Sequence, residues 1–567
     1  MKVALVSTHT HPFALGLRYV SSYLKSTGHD VVMLFMSSKR DTTKPDYSDG
    51  VLDDFVQRVR ECDIVGMSLM TNNFHRASAL TRCIRDAGIR VPIVWGGTHP
   101  TVAPEESLEI ADAVCIGEGE EPMLELVERL DGGHDPTGVR GFWFRGGGAF
   151  GNAAVVRNPL PPLETELDNL PFPDYELRTH WVADKDGLVI AEPENLRGAL
   201  HTLRVMTTRG CPYHCTFCNN TALREIHQGL GPWVRTRTLD NVLAELRQAL
   251  ACFPRIKTIN FVDDLFFVRR EEEIEAFVTQ YNRDIGLPLQ LDAFPNTVTD
   301  RKVRALARVP IELISMGIES ASEDTLKNIY RRPTKPSRIA EAIDTFKKHR
   351  VRTEYHYIVS NPYEPDENVI ETMRFIASHH RGRSVLRVFP LMFYPGTPLY
   401  ERARADGRVD TRDAAAYDHM GTGAVQFAKH DYLAIWLRIV LNLRNVSVPP
   451  MIAHGLIDIV TSRAARGMLD RRWFGPAVFV VYQVSRKFVR NFIHQPFVKP
   501  LKYLRRSSRR PGAKTGVPWT VASVNVAALR RRATVPKSVP GDGLTAPPAP
   551  AVDTQPGVAD REPSRPS

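Results

Sequence analysis

Short apolar, β-branched runs recur along the first 120 residues, at 3–6, 31–35, 64–69, 93–95 and 113–116, separated by helix-length stretches such as 17–26 and 74–87. Alternation of this kind predicts a parallel, doubly wound sheet. A second series begins near residue 204. Its strands are predicted at 204–208, 258–262, 289–294, 313–317, 352–359 and 385–393, with helices at 239–252, 271–283, 300–307, 337–349 and 368–379. Six strand–helix units are two short of a closed eightfold barrel, so a partial barrel open on one side is expected. The fold class is therefore α/β: a Rossmann-like doubly wound domain over 1–145, a partial (β/α)6 barrel over 201–410, and a helical region over 411–512. Helices are predicted there at 431–445 and 451–466, on either side of Pro449-Pro450. Residues 146–200, rich in Gly, Pro and acidic side chains, read as a tethered linker. The stretch 513–567 turns to Pro, Ala, Thr, Ser and Gly and is expected to be disordered.

Ligands of doubly wound sheets bind outside the carboxyl ends of the strands, and small polar residues fall at those ends. They are Ser68 after the third strand, Gly96-Gly97-Thr98-His99-Pro100 after the fourth, and Gly117-Glu118-Gly119-Glu120 after the fifth. Glycine there is expected to let the backbone approach a large ligand. The loop after the first strand, Ser7 to Pro12, lacks the G-x-G-x-x-G of a dinucleotide site.

In the barrel, the loop after the first strand reads MTTRGCPYHCTFCNN and carries Cys211, Cys215 and Cys218 in a Cys-x3-Cys-x2-Cys spacing. Three thiolates that close together suggest one metal centre. A structural zinc would want a further Cys or His pair downstream, and Cys252 stands alone. An iron–sulfur cluster fits better: a cubane held by three thiolates leaves one iron open to a small chelating molecule. A zinc knuckle, or a disulfide pair with a free thiol, are the other uses of such a loop. Asp263 and Asp264 end the second barrel strand, where adjacent carboxylates could accept from an ammonium or simply cap the next helix. Asp292, Phe294, Asn296, Tyr355, His356, Tyr357 and Tyr394 are candidates to line the barrel, although alternate residues on each strand must face outward.

Composition narrows the setting. Seven cysteines, three of them in one loop, give no paired disulfide framework, so a reducing cytoplasm is expected. The N-terminus reads as a first strand and not a signal peptide, and no run of 18 uncharged apolar residues predicts a membrane span. The net charge of +10 is local: residues 471–514 hold twelve Lys and Arg and no Asp or Glu. Interleaved with Trp473, Phe474, Phe488 and Phe492, these cations suit an interfacial membrane helix over about 471–510, or equally a docked helix with its cations in water. Nucleic acid contact is the less favoured use.

The cysteine loop, with Phe217 before its last Cys, resembles the radical S-adenosylmethionine (SAM) superfamily, and the GG-x-H-P and GEGE turns resemble the cobalamin-binding domain of one branch of it. The resemblance spans about 1–410. It implies a [4Fe–4S] cluster on the three cysteines, with SAM on the open iron. It further implies Asp263 and Asp264, within a Phe-x-Asp-Asp-x-Phe pattern, at the SAM ammonium, and Glu319 at the ribose. Cobalamin would lie against Ser68, Gly96, Gly97, Thr98, Gly117 and Gly119; the alternative is a domain of that ancestry without its cofactor. The chain departs from the family in two places. No D-x-H-x-x-G loop supplies a lower axial histidine, leaving His9, His11 and His99 only as weak candidates, and Ser360-Asn361 stand where relatives place glycine beside the adenine.

The implied activity is methyl transfer to an unactivated carbon after hydrogen abstraction by a 5′-deoxyadenosyl radical. Electrons would come from an external flavodoxin- or ferredoxin-type donor, and the substrate would be a small molecule or a lipid. Ring formation, rearrangement or carbon–carbon coupling without methyl transfer is the alternative enzyme outcome, and a non-catalytic cobalamin or iron–sulfur sensor is the alternative of another class.

Overall fold

A computed structural model of the 567-residue chain describes residues 1–9, 14–36, 47–192, 201–380, 384–409, 416–417, 432–445 and 448–465. The basic stretch 471–510, the tail 513–567 and His11 lie outside them. In the first domain β1 (Lys2–Ser7), β2 (Asp30–Phe35), β3 (Ile64–Ser68), β4 (Ile93–Gly96) and β5 (Ala113–Cys115) pair in parallel. Their order, β5-β4-β3-β1-β2, reverses between β1 and β3. Both faces of the central strands are buried, Val3, Ala4, Leu5 and Val6 at 1% exposure or less. That explains why the sequence shows continuous apolar runs here and not alternation.

Four further strands extend this sheet: β6 (Phe142–Phe144), β7 (Val156–Arg157), β8 (His180–Ala183) and β9 (Leu188–Ile190). Three of them come from the stretch read as a linker. β8 pairs in parallel with β2, and β9 returns antiparallel to β8. The connection is fastened as well as paired. Asp174 accepts from Ser21 at 2.6 Å and lies 2.8 Å from Lys25 and 3.1 Å from His180. Although burial alone would raise it, the Asp174 carboxyl is held well below the usual carboxylate range by His180 and Lys25. Proline and glycine punctuation marked irregular backbone here but could not show that two strands of three or four residues find a sheet edge.

The barrel strands are β10 (Thr202–Val205), then, after a short antiparallel pair β11 (Thr208–Arg209) and β12 (Arg235–Thr236), β13 (Thr258–Phe261), β14 (Leu289–Ala293), β15 (Ile311–Glu319), β16 (Thr353–Val359) and β17 (Val385–Pro390). Six of them form one parallel sheet in chain order, β10-β13-β14-β15-β16-β17. Helices start where the sequence caps them: Thr238 and Thr299 accept from the backbone at the starts of Leu239–Cys252 and Asp300–Leu306.

Strand alternation sorts the barrel residues into two faces. Leu203, Val205, Ile259, Phe261, Leu291, Met316, Tyr355 and Tyr357 join one buried cluster with the helices. Their neighbours Arg204, Asn260, Gln290, Asp292, Ser315 and His356 keep accessible surface on the inner face. The interior is therefore an open hollow with polar walls. Tyr355 and Tyr357, candidates to line it, face outward at 0% exposure, while Asp292 and His356 face inward. Asn296 instead donates to the Pro333 carbonyl, and Tyr394 packs against the core of the first domain. After the barrel, helices Tyr432–Asn445 and Pro450–Val460 pack on helix Asp366–His379.

Candidate functional site

The cysteine loop leaves the end of β11 through Gly210, and only glycine fits there. Its φ is +85°, and a Cβ would stand 2.2 Å from the Trp233 carbonyl. The Gly210 N–H donates to Asp264 at 2.8 Å, and Trp233 Nε1 donates to the Cys211 carbonyl at 3.1 Å. Thr216 bonds the Ile329 carbonyl at 2.7 Å, Thr221 bonds the Cys215 carbonyl at 2.8 Å, and Phe217 sits edge-on to Tyr330. The loop is thus fixed to the barrel by its own polar and aromatic residues.

All three thiols are free, and each interacts electrostatically with at least one of the others. Burial pushes Cys211 up to about 11 and Cys218 up to about 12, and raises Cys215, where Arg332 opposes it. Thiols whose surroundings disfavour ionisation in this way, Cys215 buried and Cys211 and Cys218 half-buried, become thiolates when a positive group compensates them, as iron would. Among the described residues no three His, Cys, Asp or Glu side chains converge on a single ion position; the thiolates of a cubane bind separate irons and need no such convergence.

The two aspartates end β13 with different partners. Asp263 is 4% exposed and accepts from the Thr207 hydroxyl at 2.5 Å, the Thr208 N–H at 2.9 Å and the Thr207 N–H. Burial pushes its carboxyl up to about 6 despite those donors. It fastens the chain between β10 and β11 and has little capacity left for a ligand. Asp264 is exposed and takes the Gly210 N–H and Asn220 Nδ2, at 2.7 Å, both of the cysteine loop, on separate oxygens, each of which can accept a further donor.

Glu319 ends β15 at a register shift with φ +70°, and Ser360 follows β16 with φ +58°. Two non-glycine residues in the left-handed region, at the ends of adjacent strands, mark the barrel mouth as strained. Glu319 lies beside Arg332, which opposes the rise that burial imposes on its carboxyl. Arg332 was not singled out from the sequence, because an arginine in a turn carries no motif. Inside the hollow, burial pushes Asp292 up to about 6, while Glu354 binds His356 at 2.9 Å and Arg387 at 2.7 Å.

In the first domain a cavity of about 250 Å³ opens at the strand ends where the sheet order reverses. Ser68, Gly96, Gly97, Gly117 and Gly119 line it, with Leu17, Val94 and Met123 as its apolar wall. Thr98 is not among its lining; it begins the helix Thr98–Val102, and the side chain that ties the turns together is Thr101, bonded to the Gly97 carbonyl and the Gly117 N–H. Gly97 is required by the chain itself: at φ +98° its Cβ would lie 2.8 Å from the Leu69 carbonyl. His99 is fully buried away from the cavity among Thr71, Phe74 and Tyr417. His9, beside Asn73, is pushed by burial down to about 4.

The cavity is also lined by Met206 and Arg209 of the barrel. Arg209 bridges Glu118 at 3.0 Å and Glu120 at 2.6 Å, and Arg235 meets Glu118 at 2.6 Å. The two glutamates of the GEGE turn are therefore a clasp to the barrel, a role visible only once the domains are brought together. Arg209 is two residues from Cys211, so one short segment forms a wall of the cavity and the stem of the cysteine loop.

This arrangement has known counterparts. The family model for the B12 binding domain matches residues 1–127, and that for the radical SAM superfamily matches 205–376. The chain belongs to the radical SAM enzymes that carry a B12-binding domain. Membership brings the cofactors: cobalamin for the first domain, SAM and a [4Fe–4S] cluster for the second. Among relatives, an uncharacterized methyltransferase of Pyrococcus horikoshii is 26% identical over 80% of this chain and 93% of its own length. An anaerobic magnesium-protoporphyrin IX monomethyl ester cyclase of Rubrivivax gelatinosus is 25% identical over 63% of this chain and 60% of its own. Among solved structures, the radical SAM methyltransferase TsrM of Kitasatospora setae, with cobalamin and a [4Fe–4S] cluster bound, superposes with a TM-score of 0.56 at 17% identity, covering 71% of this chain and 75% of that one. That likeness is one of fold.

Proposed function

We propose that this enzyme methylates an unactivated carbon of a small-molecule or lipid substrate. The observation that carries the reading is the shared wall: Met206 and Arg209 line the cavity of the first domain and lead directly into Cys211. When bound, the cluster with SAM supplies hydrogen-atom abstraction and cobalamin supplies a transferable methyl group.

The protein's contribution is placement and exclusion of water. Cys211, Cys215 and Cys218 hold the cluster, with electrons from an external flavodoxin- or ferredoxin-type donor. Asp264 and Glu319 receive the ammonium and ribose of SAM, and Asp263 acts behind them by fixing Thr207 and Thr208. Ser68, Gly96, Gly97, Gly117 and Gly119 receive part of the cobalamin, since 250 Å³ is below the range for a whole large ligand; Thr101 supports Gly97 and Gly117 from behind. The polar inner wall, with Asp292, His356 and Glu354, orients the substrate.

Peripheral attachment to a membrane belongs to the same reading. No helix among the described residues is long and apolar enough to cross a bilayer. Met451, Ile452 and Ile459 nevertheless stay 80%, 54% and 69% exposed on one arc of helix Pro450–Val460, a few residues before the basic, aromatic stretch 471–510. Sedimentation with anionic liposomes, compared with a protein ending near Gly467, tests this; equal behaviour of the two proteins rules it out.

For the activity, anaerobically reconstituted protein should form 5′-deoxyadenosine and S-adenosylhomocysteine together, and both should vanish on changing any of the three loop cysteines to Ala but persist in Cys252→Ala. 5′-Deoxyadenosine without S-adenosylhomocysteine, in the presence of product, would favour the second reading, ring formation, which the similarity to the cyclase supports. Neither compound would refute both.

A further inference from the structure

We infer that Arg332 is a positioning residue that holds the Cys215 sulfur and raises the reduction potential of the cluster; the inference rests on the functional reading above. Arg332 follows the helical turn Thr325–Ile329 beyond β15 and is 6% exposed. Its backbone N–H bonds the Leu326 carbonyl at 2.7 Å. Nη1 lies 3.6 Å from Cys215 Sγ, and Nη2 donates to the Gly317 carbonyl near the end of β15. The guanidinium carbon stands 4.2 Å from the centroid of Phe294, and that ring stacks at 3.7 Å on Tyr213 of the cysteine loop.

These contacts make one unit of four separate pieces: the cysteine loop, the end of β14, the end of β15 and the turn after it. Lysine could not replace the arginine, because a single ammonium cannot donate to a sulfur and a carbonyl in one plane while covering an aromatic face. The position is also electrically pointed. Arg332 opposes the burial of Cys215 and, ahead of His356, that of Glu319, and it acts on Cys211 too.

Cluster potentials respond to net charge, hydrogen bonds to sulfur and burial. A donor to a coordinating sulfur and a cation beside it both favour the state holding one more electron. The step concerned is the transfer of one electron from a low-potential external donor to the cluster, with no bond made or broken. Arg332 therefore makes a cluster held by the buried Cys215 and its two half-buried neighbours easier to reduce by such a donor.

The test uses full-length protein reconstituted with iron and sulfide, reduced stepwise with dithionite and followed by electron paramagnetic resonance. Arg332→Gln should lower the ratio of reduced to oxidised cluster at a fixed potential at least tenfold, a shift of 59 mV for one electron. Arg332→Lys, which keeps the charge without the fork, should recover part of it, and the exposed neighbour Arg331→Gln should leave the midpoint unmoved. A wild-type midpoint in Arg332→Gln at equal iron content overturns the inference, as does an equal shift in Arg331→Gln. If Arg332→Gln takes up no iron, Arg332→Lys and Phe294→Leu decide: lowered midpoints in both support the role, and wild-type midpoints refute it. A wild-type protein that takes up no cluster overturns the functional reading as well, whereas a loaded wild type with unmoved variants overturns the role of Arg332 alone.

Discussion

Replacing Arg209 with Met should destabilise the protein by about 3 kcal/mol, and adding Glu120→Leu should return most of that loss. The side chain of Arg209 is 11% exposed and lies between Glu118, 27% exposed, and Glu120, 8% exposed. Removing one partner of a buried pair costs roughly 3–5 kcal/mol, mainly because the other charge is left uncompensated. Glu118 keeps Arg235 at 2.6 Å, so the carboxylate stranded by the change is Glu120, and the lower end of the range applies. Loss of the Arg209 guanidinium from the Tyr19 ring, 5.4 Å from its centroid, adds less than about 1 kcal/mol. An apolar pair in place of a buried ion pair is close to neutral, so the double-mutant cycle should give a coupling of about 2–3 kcal/mol. Urea midpoints of the four proteins at a common slope measure it. Arg209→Met should also retain less cobalamin, since Arg209, Glu118 and Glu120 line the cavity. A loss below about 1 kcal/mol in Arg209→Met, or a double variant as unstable as the sum of the singles, would refute the clasp.

Ser360, at φ +58° and exposed, should tolerate Gly within about 0.5 kcal/mol, while Ser360→Val should lose about 1–2 kcal/mol because a β-branched side chain is strained in that region; equal stability of the two variants by urea unfolding would disprove the strain. His380 is 1% exposed, with its pKa pushed well below the ordinary value first by burial and then by Lys347, His379 and Arg444. The unfolded chain therefore takes up this proton first: stability should be complete above about pH 6.5 and fall below it by up to about 1.4 kcal/mol per pH unit. His380→Gln should flatten that slope relative to wild type in urea midpoints measured from pH 7 to 5, and an unchanged slope would count against it. Finally, with no D-x-H-x-x-G loop and with His99 buried elsewhere, the paramagnetic resonance spectrum of the bound Co(II) form should lack nitrogen superhyperfine splitting; splitting that disappears in His9→Ala would reverse this.

The local features of this protein are written in its sequence. Strand and helix positions followed from runs and periods: the predicted 239–252 is the helix Leu239–Cys252, and 258–262 contains β13. The cysteine spacing was legible because Cys211, Cys215 and Cys218 lie within eight residues, so no tertiary information is needed to bring them together. Tertiary structure decided whatever depended on the partner across a gap. Short strands such as β8 and β9 have too few residues to show a period and are held by the edge they meet. Tyr355 and Tyr357 could be told from His356 only by the direction of the strand relative to the helices. Glu118 and Glu120 read as part of a ligand turn until Arg209 and Arg235, about 90 and 115 residues away in sequence, were found against them. Asp263 looked like Asp264 until Thr207 and Thr208 were seen to occupy it. Arg332 was invisible in the same way, for a charge acquires its meaning from the groups that surround it, and those are chosen by the fold.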